Sequence, residues 1–328
     1  MAPASMQFQI LALDGGGAKA LFTAHVLARL EEDLDASVVD SFDLIAGTSA
    51  GGIIALALGA GLRPAEIRDR FDSLVHHVFP ARRRLSPHRV GRTTYSADAL
   101  RTSLTEVLGQ RLLGESTKRL LVPSWNVDTG KVHVFKTPHH SRLRRDWKIP
   151  MVDVAMATTA APTFFPAAVV DSHRLIDGGV WANNPSVIAV AEARSMLDVA
   201  LDDMRVLNIG TMDSVGVGAH AKRLDRGGFV QWANKVAEVL VTASSRGGQG
   251  TAEHLVGSVR YHRFDAQVPG GLYALDKVDR HDLAALAASV SREISPAYAQ
   301  HFASHSAAPY APLAGPGSPA ATSPEGTA

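Results

Sequence analysis

The sequence predicts an α/β protein in which a mainly parallel sheet is covered by helices on both faces. Three observations carry that prediction. The opening of the chain alternates twice between a short apolar strand and a segment of helical period, and such units connect right-handedly into parallel sheets. Both strands stop at glycine clusters, where the chain must turn abruptly. The 328 residues are 46% hydrophobic and 20% charged, the balance of a globular chain long enough for a large core.

The elements follow in order. "FQILALDGGG" is a buried strand over Phe8–Leu13 that stops at Asp14 and three glycines. In the segment after it, Leu21, Val26, Leu27 and Leu30 recur on one helical face. "SFDLIAG" is a second buried strand, and a helix starts at Ser49 whose apolar run is too short to span a membrane. A helix over Ala65–Val78 has Pro64 at its first position. "FPARRRLSPHRVGRTTYSADAL" reads as irregular and basic, and "LLVPSWNVDTGKVHVFKT" as two strands about a turn at Asp128-Thr129-Gly130. "DVAMATTAAPTFFPA" is helix then loop. "HRLIDGGVWANNPSVIAVAEA" is strand, turn and helix, with Asn184 as N-cap and Pro185 first in the helix. "MRVLNIGT" is a strand, and helices are expected near Gly228–Ser244 and Asp282–Ser304. Residues 1–6 are expected to be a short disordered N-terminus and 7–305 one domain. Residues 306–328, rich in Ala, Pro, Gly and Ser, are expected to form a disordered tail.

A net charge of +1 gives no global field for a nucleic acid polymer. The absence of cysteine removes disulfides and thiolate catalysis. The amino end lacks the basic, apolar and small-residue order of a secretory signal, so a cytoplasmic protein is expected.

Three short segments can carry chemistry. In Gly47-Thr48-Ser49-Ala50-Gly51 the glycines let a strand turn into a helix with the serine hydroxyl exposed. The same residues also suit a tight turn whose serine merely caps the helix. In "LDGGGAKA", Gly15, Gly16 and Gly17 can offer bare amides to an oxyanion. Gly15, Gly17 and Ala20 also fit a dinucleotide-binding pattern, with Asp35 twenty residues after Gly15. Asp35, however, falls in the polar end of a helix instead of ending the second strand. For a base, Asp177 stands at a strand end before Gly178 and Gly179, where its carboxylate can face a pocket or simply begin a turn. The later histidines His220, His254, His262 and His281 would be needed for a Ser-acid-His esterase, and none follows a strand in a glycine-marked turn. No convincing cluster of metal ligands occurs, and no cofactor is expected.

Asp-Gly-Gly-Gly, then Gly-Thr-Ser-Ala-Gly, then Asp-Gly-Gly, in that order, resembles the patatin-like phospholipases across nearly the whole ordered chain. Supporting segments are "ATTAAPTFFPA", "YHRFDAQVP" and "ALDKVD". Ala20 departs from the family's usual glycine, and Lys19 stands where the family has Arg or Lys. The resemblance implies a three-layer α/β/α fold and lipid acyl hydrolysis by a Ser–Asp dyad. It makes Ser49 the nucleophile, Asp177 the base, Gly15, Gly16 and Gly17 the oxyanion donors, and Gly47 and Gly51 the elbow glycines. Bacterial members include antiviral effectors switched on by cyclic nucleotides, so a cyclic dinucleotide activator and a phospholipid substrate at the inner membrane surface are expected. A homo-oligomer is compatible with it. Two basic stretches, 76–92 and 136–148, are candidates for membrane docking, with Val78, Phe79, Leu85 or Trp147 inserting and the first stretch acting as a lid. The rival readings are a soluble carboxylesterase with a triad and a dinucleotide-binding oxidoreductase.

Overall fold

The structure is a computed structural model that describes residues 7–80, 93–215, 236–269, 275–276, 278–315 and 318. Its chain order begins β1 (Phe8–Leu13), α1 (Leu21–Leu34), β2 (Leu44–Gly47), α2 (Ala50–Gly59), α3 (Pro64–Val78) and α4 (Ala97–Leu108). It continues with β3 (Arg119–Asn126), β4 (Lys131–Lys136), α5 (Met151–Thr158), β5 (Ala168–Val170), β6 (His173–Asp177), α6 (Gly179–Ala182) and α7 (Ser186–Met196). The last elements are β7 (Met204–Ile209), β8 (Asp213–Val215), α8 (Val236–Val256), β9 (Tyr261–Phe264), β10 (Gln267–Pro269) and α9 (Arg280–His301).

One sheet runs β5-β6-β3-β2-β1-β7-β9, with β4 on the other side of β3. The central joins β3-β2-β1-β7-β9 are parallel, and those of β3 with β4 and β6 and of β6 with β5 are antiparallel. Because side chains alternate along a strand, the buried strands feed two cores. On β1, Leu11 and Leu13 enter the core shared with α1–α5 and α9, whereas Ile10 and Ala12 enter the one under α7 and α8. Leu207 and Ile209 of β7 face the first core, and Met204 and Val206 the second. The expected layering, with helices on both faces of a mostly parallel sheet, is what the chain adopts.

Every residue of α2 is buried, as an all-apolar helix requires. On α3 the buried Pro64, Ile67, Phe71, Leu74, Val75 and Val78 mark one face. Asp279 caps α9 by accepting from the amides of His281 and Asp282 at 3.0 and 3.2 Å. The helix of residues 186–196 starts one position later than predicted, and Asn184 Oδ1 still accepts the Ser186 amide at 2.9 Å. The irregular reading of residues 79–100 fails at its end, where α4 begins behind Ser96, whose hydroxyl accepts the Ala99 amide at 3.2 Å. Among the described residues no helix is long and apolar enough to cross a membrane.

The tail is also corrected. Its described part, 306–315 and 318, lies along the domain: the Ala307 amide donates to Asp40 O and the Leu313 amide to Pro138 O, both at 2.8 Å. Arg119 covers the Tyr310 ring at 5.4 Å. Low hydrophobicity suggested a chain without a core, but backbone hydrogen bonds and one tyrosine hold it. Residues 316–317 and 319–328 lie outside the described residues.

The feature that positions the site is the use of β3. β4 pairs with Leu121–Asn126 on one edge. The opposite edge is shared, with β2 against Arg119–Leu121 and β6 against Ser124–Asn126. The last residue of β6, Asp177, therefore arrives just beyond the end of β2, where Ser49 stands.

Candidate active site

Leu13 and Gly47, the last residues of the neighbouring parallel strands β1 and β2, pair directly. The loops after them consequently leave the sheet side by side, at the strand ends where open α/β sheets hold their ligands. The Thr48 amide returns to Leu13 O at 3.1 Å and its hydroxyl to Ala182 O at 2.6 Å. A Cβ at Gly51 would sit 2.5 Å from Leu13 O, and one at Gly47 would sit 2.3 Å from Gly51 O. Both glycines are thus required by the closeness of the backbones.

Between them Ser49 has φ 53° and ψ −123°, a conformation that costs a non-glycine residue about 1–3 kcal/mol. Surrounding bonds hold it there. The Ser49 amide donates to Thr158 Oγ1 at 3.0 Å, and that hydroxyl donates to Pro123 O at 2.6 Å. The strained serine is more than a helix cap, since its hydroxyl caps nothing in α2. Instead Ser49 Oγ donates to Asp177 Oδ2 at 2.6 Å.

Asp177 is buried, and its Oδ1 accepts the Gly179 amide at 2.6 Å. Burial lifts the carboxyl from 3.8 to about 6, against the opposing pull of the Ser49 and Gly179 hydrogen bonds. Such a carboxylate is ionised at neutral pH yet more basic than an exposed aspartate. It can take a proton from the hydroxyl bonded to it. Gly178 lets the turn press on β3, where an added Cβ would meet Pro123 O at 2.3 Å.

The glycine loop is placed differently from expectation in one respect. The Gly15 amide already donates to Asn183 O at 3.0 Å, so it is committed elsewhere. Gly15 matters instead for space, because a Cβ there would lie 3.2 Å from Ser49 Cβ. The amides of Gly16 and Gly17 have no acceptor among the described residues. Gly17 has φ +57°, and its Cβ would strike Leu275 O.

Behind the loop lies an anchor that the sequence alone did not reveal. Buried Asp14 accepts from Asn208 Nδ2 at 2.7 Å, Ser245 Oγ at 2.9 Å and Arg263 Nη1 at 2.8 Å. Burial raises the Asp14 carboxyl while Arg263, Asn208 and Ser245 oppose the shift. Thr211 Oγ1 donates to Gly15 O at 2.9 Å. The clue in sequence was the acid before the glycines, but its partners lie about two hundred residues away. Lys19 reaches back to Met212 O at 3.5 Å.

Other expectations find different places. Asp35 closes α1 at φ 48°, far from the end of β2, which removes the acid a dinucleotide ribose would need. No histidine contacts Ser49 or Asp177 among the described residues. His254 and His281 are exposed, His262 stacks on His301 at 4.5 Å, and His220 lies outside the described residues. Nor do the described residues contain a metal-binding group of three or more His, Asp or Glu.

In the stretch 136–148, expected as a docking candidate, Arg142, Arg144, Arg145 and Lys148 are exposed. This stretch begins where β4 ends, beside the start of β3, at the opposite end of the sheet from Ser49. Lys136 is paired with Glu192 at 2.5 Å. Trp147 is packed between Gly114 and Gly315, whose added Cβ atoms would each lie 2.8 Å from it. In the other stretch, Val78 is buried and the Phe79 ring packs on Tyr95 at 4.9 Å. Residues 81–92, including Leu85 and most of the lid, lie outside the described residues.

The family model for patatin-like phospholipases matches residues 11–190. A protein described as a cGAMP-activated phospholipase from Pseudomonas aeruginosa is 35% identical over 279 residues, 83% of each chain. Proteins with the same description from Vibrio cholerae and Escherichia coli are 38% and 37% identical, over 63% and 62% of this chain. Those two matches span 64% and 62% of the relatives' own lengths. On the extent of both matches, the chain belongs to the patatin-like phospholipase family.

Proposed function

We propose that the protein cleaves acyl esters of membrane phospholipids through a Ser49–Asp177 dyad, and that a cyclic dinucleotide switches it on. The observation that carries the chemistry is the 2.6 Å bond from a serine in a strained elbow to a buried, basic carboxylate. The description of the three relatives as cGAMP-activated phospholipases supports the substrate class and the activator.

Ser49 Oγ attacks the ester carbonyl as its proton passes to Asp177 Oδ2, giving a tetrahedral oxyanion beside the glycine loop. Collapse expels the lysolipid alkoxide, which takes the proton from Asp177 and leaves an acyl-serine. Asp177 then removes a proton from water, whose attack on the acyl carbonyl gives a second oxyanion. Its collapse releases the fatty acid and returns the proton to Ser49.

The test is fatty-acid release from mixed phospholipid vesicles by wild type and Ser49→Ala, each with and without cyclic GMP–AMP. Release that depends on Ser49 and rises with the dinucleotide is expected. Equal release by Ser49→Ala refutes the dyad, and dinucleotide-independent release refutes the switch alone.

A further inference from the structure

An oxyanion hole built from three loop amides is incomplete here, because the Gly15 amide is bonded to the Asn183 carbonyl. The same asparagine offers a replacement. Its backbone is fixed on both sides: its amide donates to Ser244 Oγ at 3.1 Å and its carbonyl accepts from Gly15 at 3.0 Å. The neighbouring residues are tied down as well, Ala182 by Thr48 and Asn184 by Asn208.

Asn183 is only 6% exposed, and its carboxamide, which bonds to nothing among the described residues, keeps an opening to solvent. A carboxamide with no protein partner that opens beside a nucleophile is free to donate to a ligand oxygen. The carboxamide lies in the gap between the glycine loop, the nucleophile and the acid. A Cβ added to Gly15 would sit 2.5 Å from Asn183 Oδ1 and 3.2 Å from Ser49 Cβ. One added to Gly179 would sit 3.1 Å from both Asn183 Oδ1 and Asp177 Oδ1. A half-turn of the amide exchanges its oxygen and nitrogen without moving anything else.

We propose that Asn183 is a further catalytic residue, whose Nδ2 donates to the substrate oxygen as it becomes the oxyanion. It stands in for the Gly15 amide, and the fixed backbone means the donor is already in place when charge develops. This assignment rests on the Ser49–Asp177 reading.

Steady-state hydrolysis of a phospholipid in mixed micelles by Asn183→Ala, Asn183→Asp and Ser49→Ala tests it. A trifluoromethyl ketone, which adds reversibly to a serine as an oxyanion, serves as the probe of the hole. Asn183→Ala should lose roughly 10²–10³ in kcat with KM nearly unchanged, and should weaken the ketone by a similar factor. Asn183→Asp, almost the same shape, should be at least as impaired, because a carboxylate repels the oxyanion. A packing role predicts the reverse, with the isosteric aspartate retaining more activity than alanine, and that order overturns the proposal. Wild-type kcat or ketone affinity in Asn183→Ala overturns it too. If Ser49→Ala is inactive in those cases, only the Asn183 assignment has failed. If Ser49→Ala remains active, the dyad itself has failed.

Discussion

Asp177→Asn should make the protein inactive and, near neutral pH, more stable. Burial moves the Asp177 carboxyl from 3.8 in the unfolded chain to about 6 in the fold. At 1.36 kcal/mol per unit, that difference of about two units amounts to about 3 kcal/mol. The bonds from Ser49 and Gly179, which favour ionisation, are already contained in this net shift. The folded protein holds the proton more tightly than the unfolded chain, so stability falls as pH rises between the two values. Below about pH 4 both states are protonated and nothing is lost; above about pH 6 the full penalty is present. An asparagine cannot ionise and escapes it. Urea denaturation of both proteins should therefore show the variant ahead by up to about 3 kcal/mol near pH 7.5, with the gap closing towards pH 4. Effects of all other titrating groups cancel in the difference. In wild type the same group should give kcat/KM an acid limb with a midpoint near 6, as the base loses its charge. A gap that is equal at both pH values, or fatty-acid release by Asp177→Asn at the wild-type rate, would refute the account.

Two other perturbations follow from the geometry. Thr158→Val deprives the Ser49 amide of its acceptor, and kcat is expected to fall by about tenfold or more for a loss of 1–2 kcal/mol in positioning; Thr158→Ser, which keeps the hydroxyl, should restore it in the same kinetic assay. Ending the chain at residue 305 removes the Tyr310 contact with Arg119 and the Ala307 and Leu313 backbone bonds. The melting temperature should drop by a few degrees while vesicle hydrolysis is kept, since all three lie away from Ser49.

How much was legible in the sequence depended on how far each signal had to reach. β1 and β2 announce themselves as apolar runs that end at glycines. Ser49 and Asp177 sit in short motifs whose flanking glycines are needed precisely where backbones touch, at Gly47, Gly51 and Gly178. The commitment of the Gly15 amide was invisible, because its partner is a backbone carbonyl at residue 183, supplied by another loop. Thr158 read as part of an Ala- and Thr-rich helix end, with nothing local to say that its hydroxyl would meet Ser49. Ser245 lay outside every motif, and Arg263, though inside "YHRFDAQVP", carried nothing local to say that it would reach Asp14. Trp147 looked available beside basic residues, and only the fold shows glycines pressed against it.

The anchor of the glycine loop also bears on when the enzyme becomes competent. Asp14 is held by residues 208, 245 and 263. During synthesis from the amino end, Ser49 and Asp177 both leave the ribosome before any of those three. A growing chain thus carries its dyad residues while the loop beside them is still unsupported, so activity is deferred until nearly the whole domain has been made. A chain stopped at residue 240 should release no fatty acid from vesicles despite containing the elbow, the acid and all three loop glycines; appreciable release would break the link between the anchor and competence.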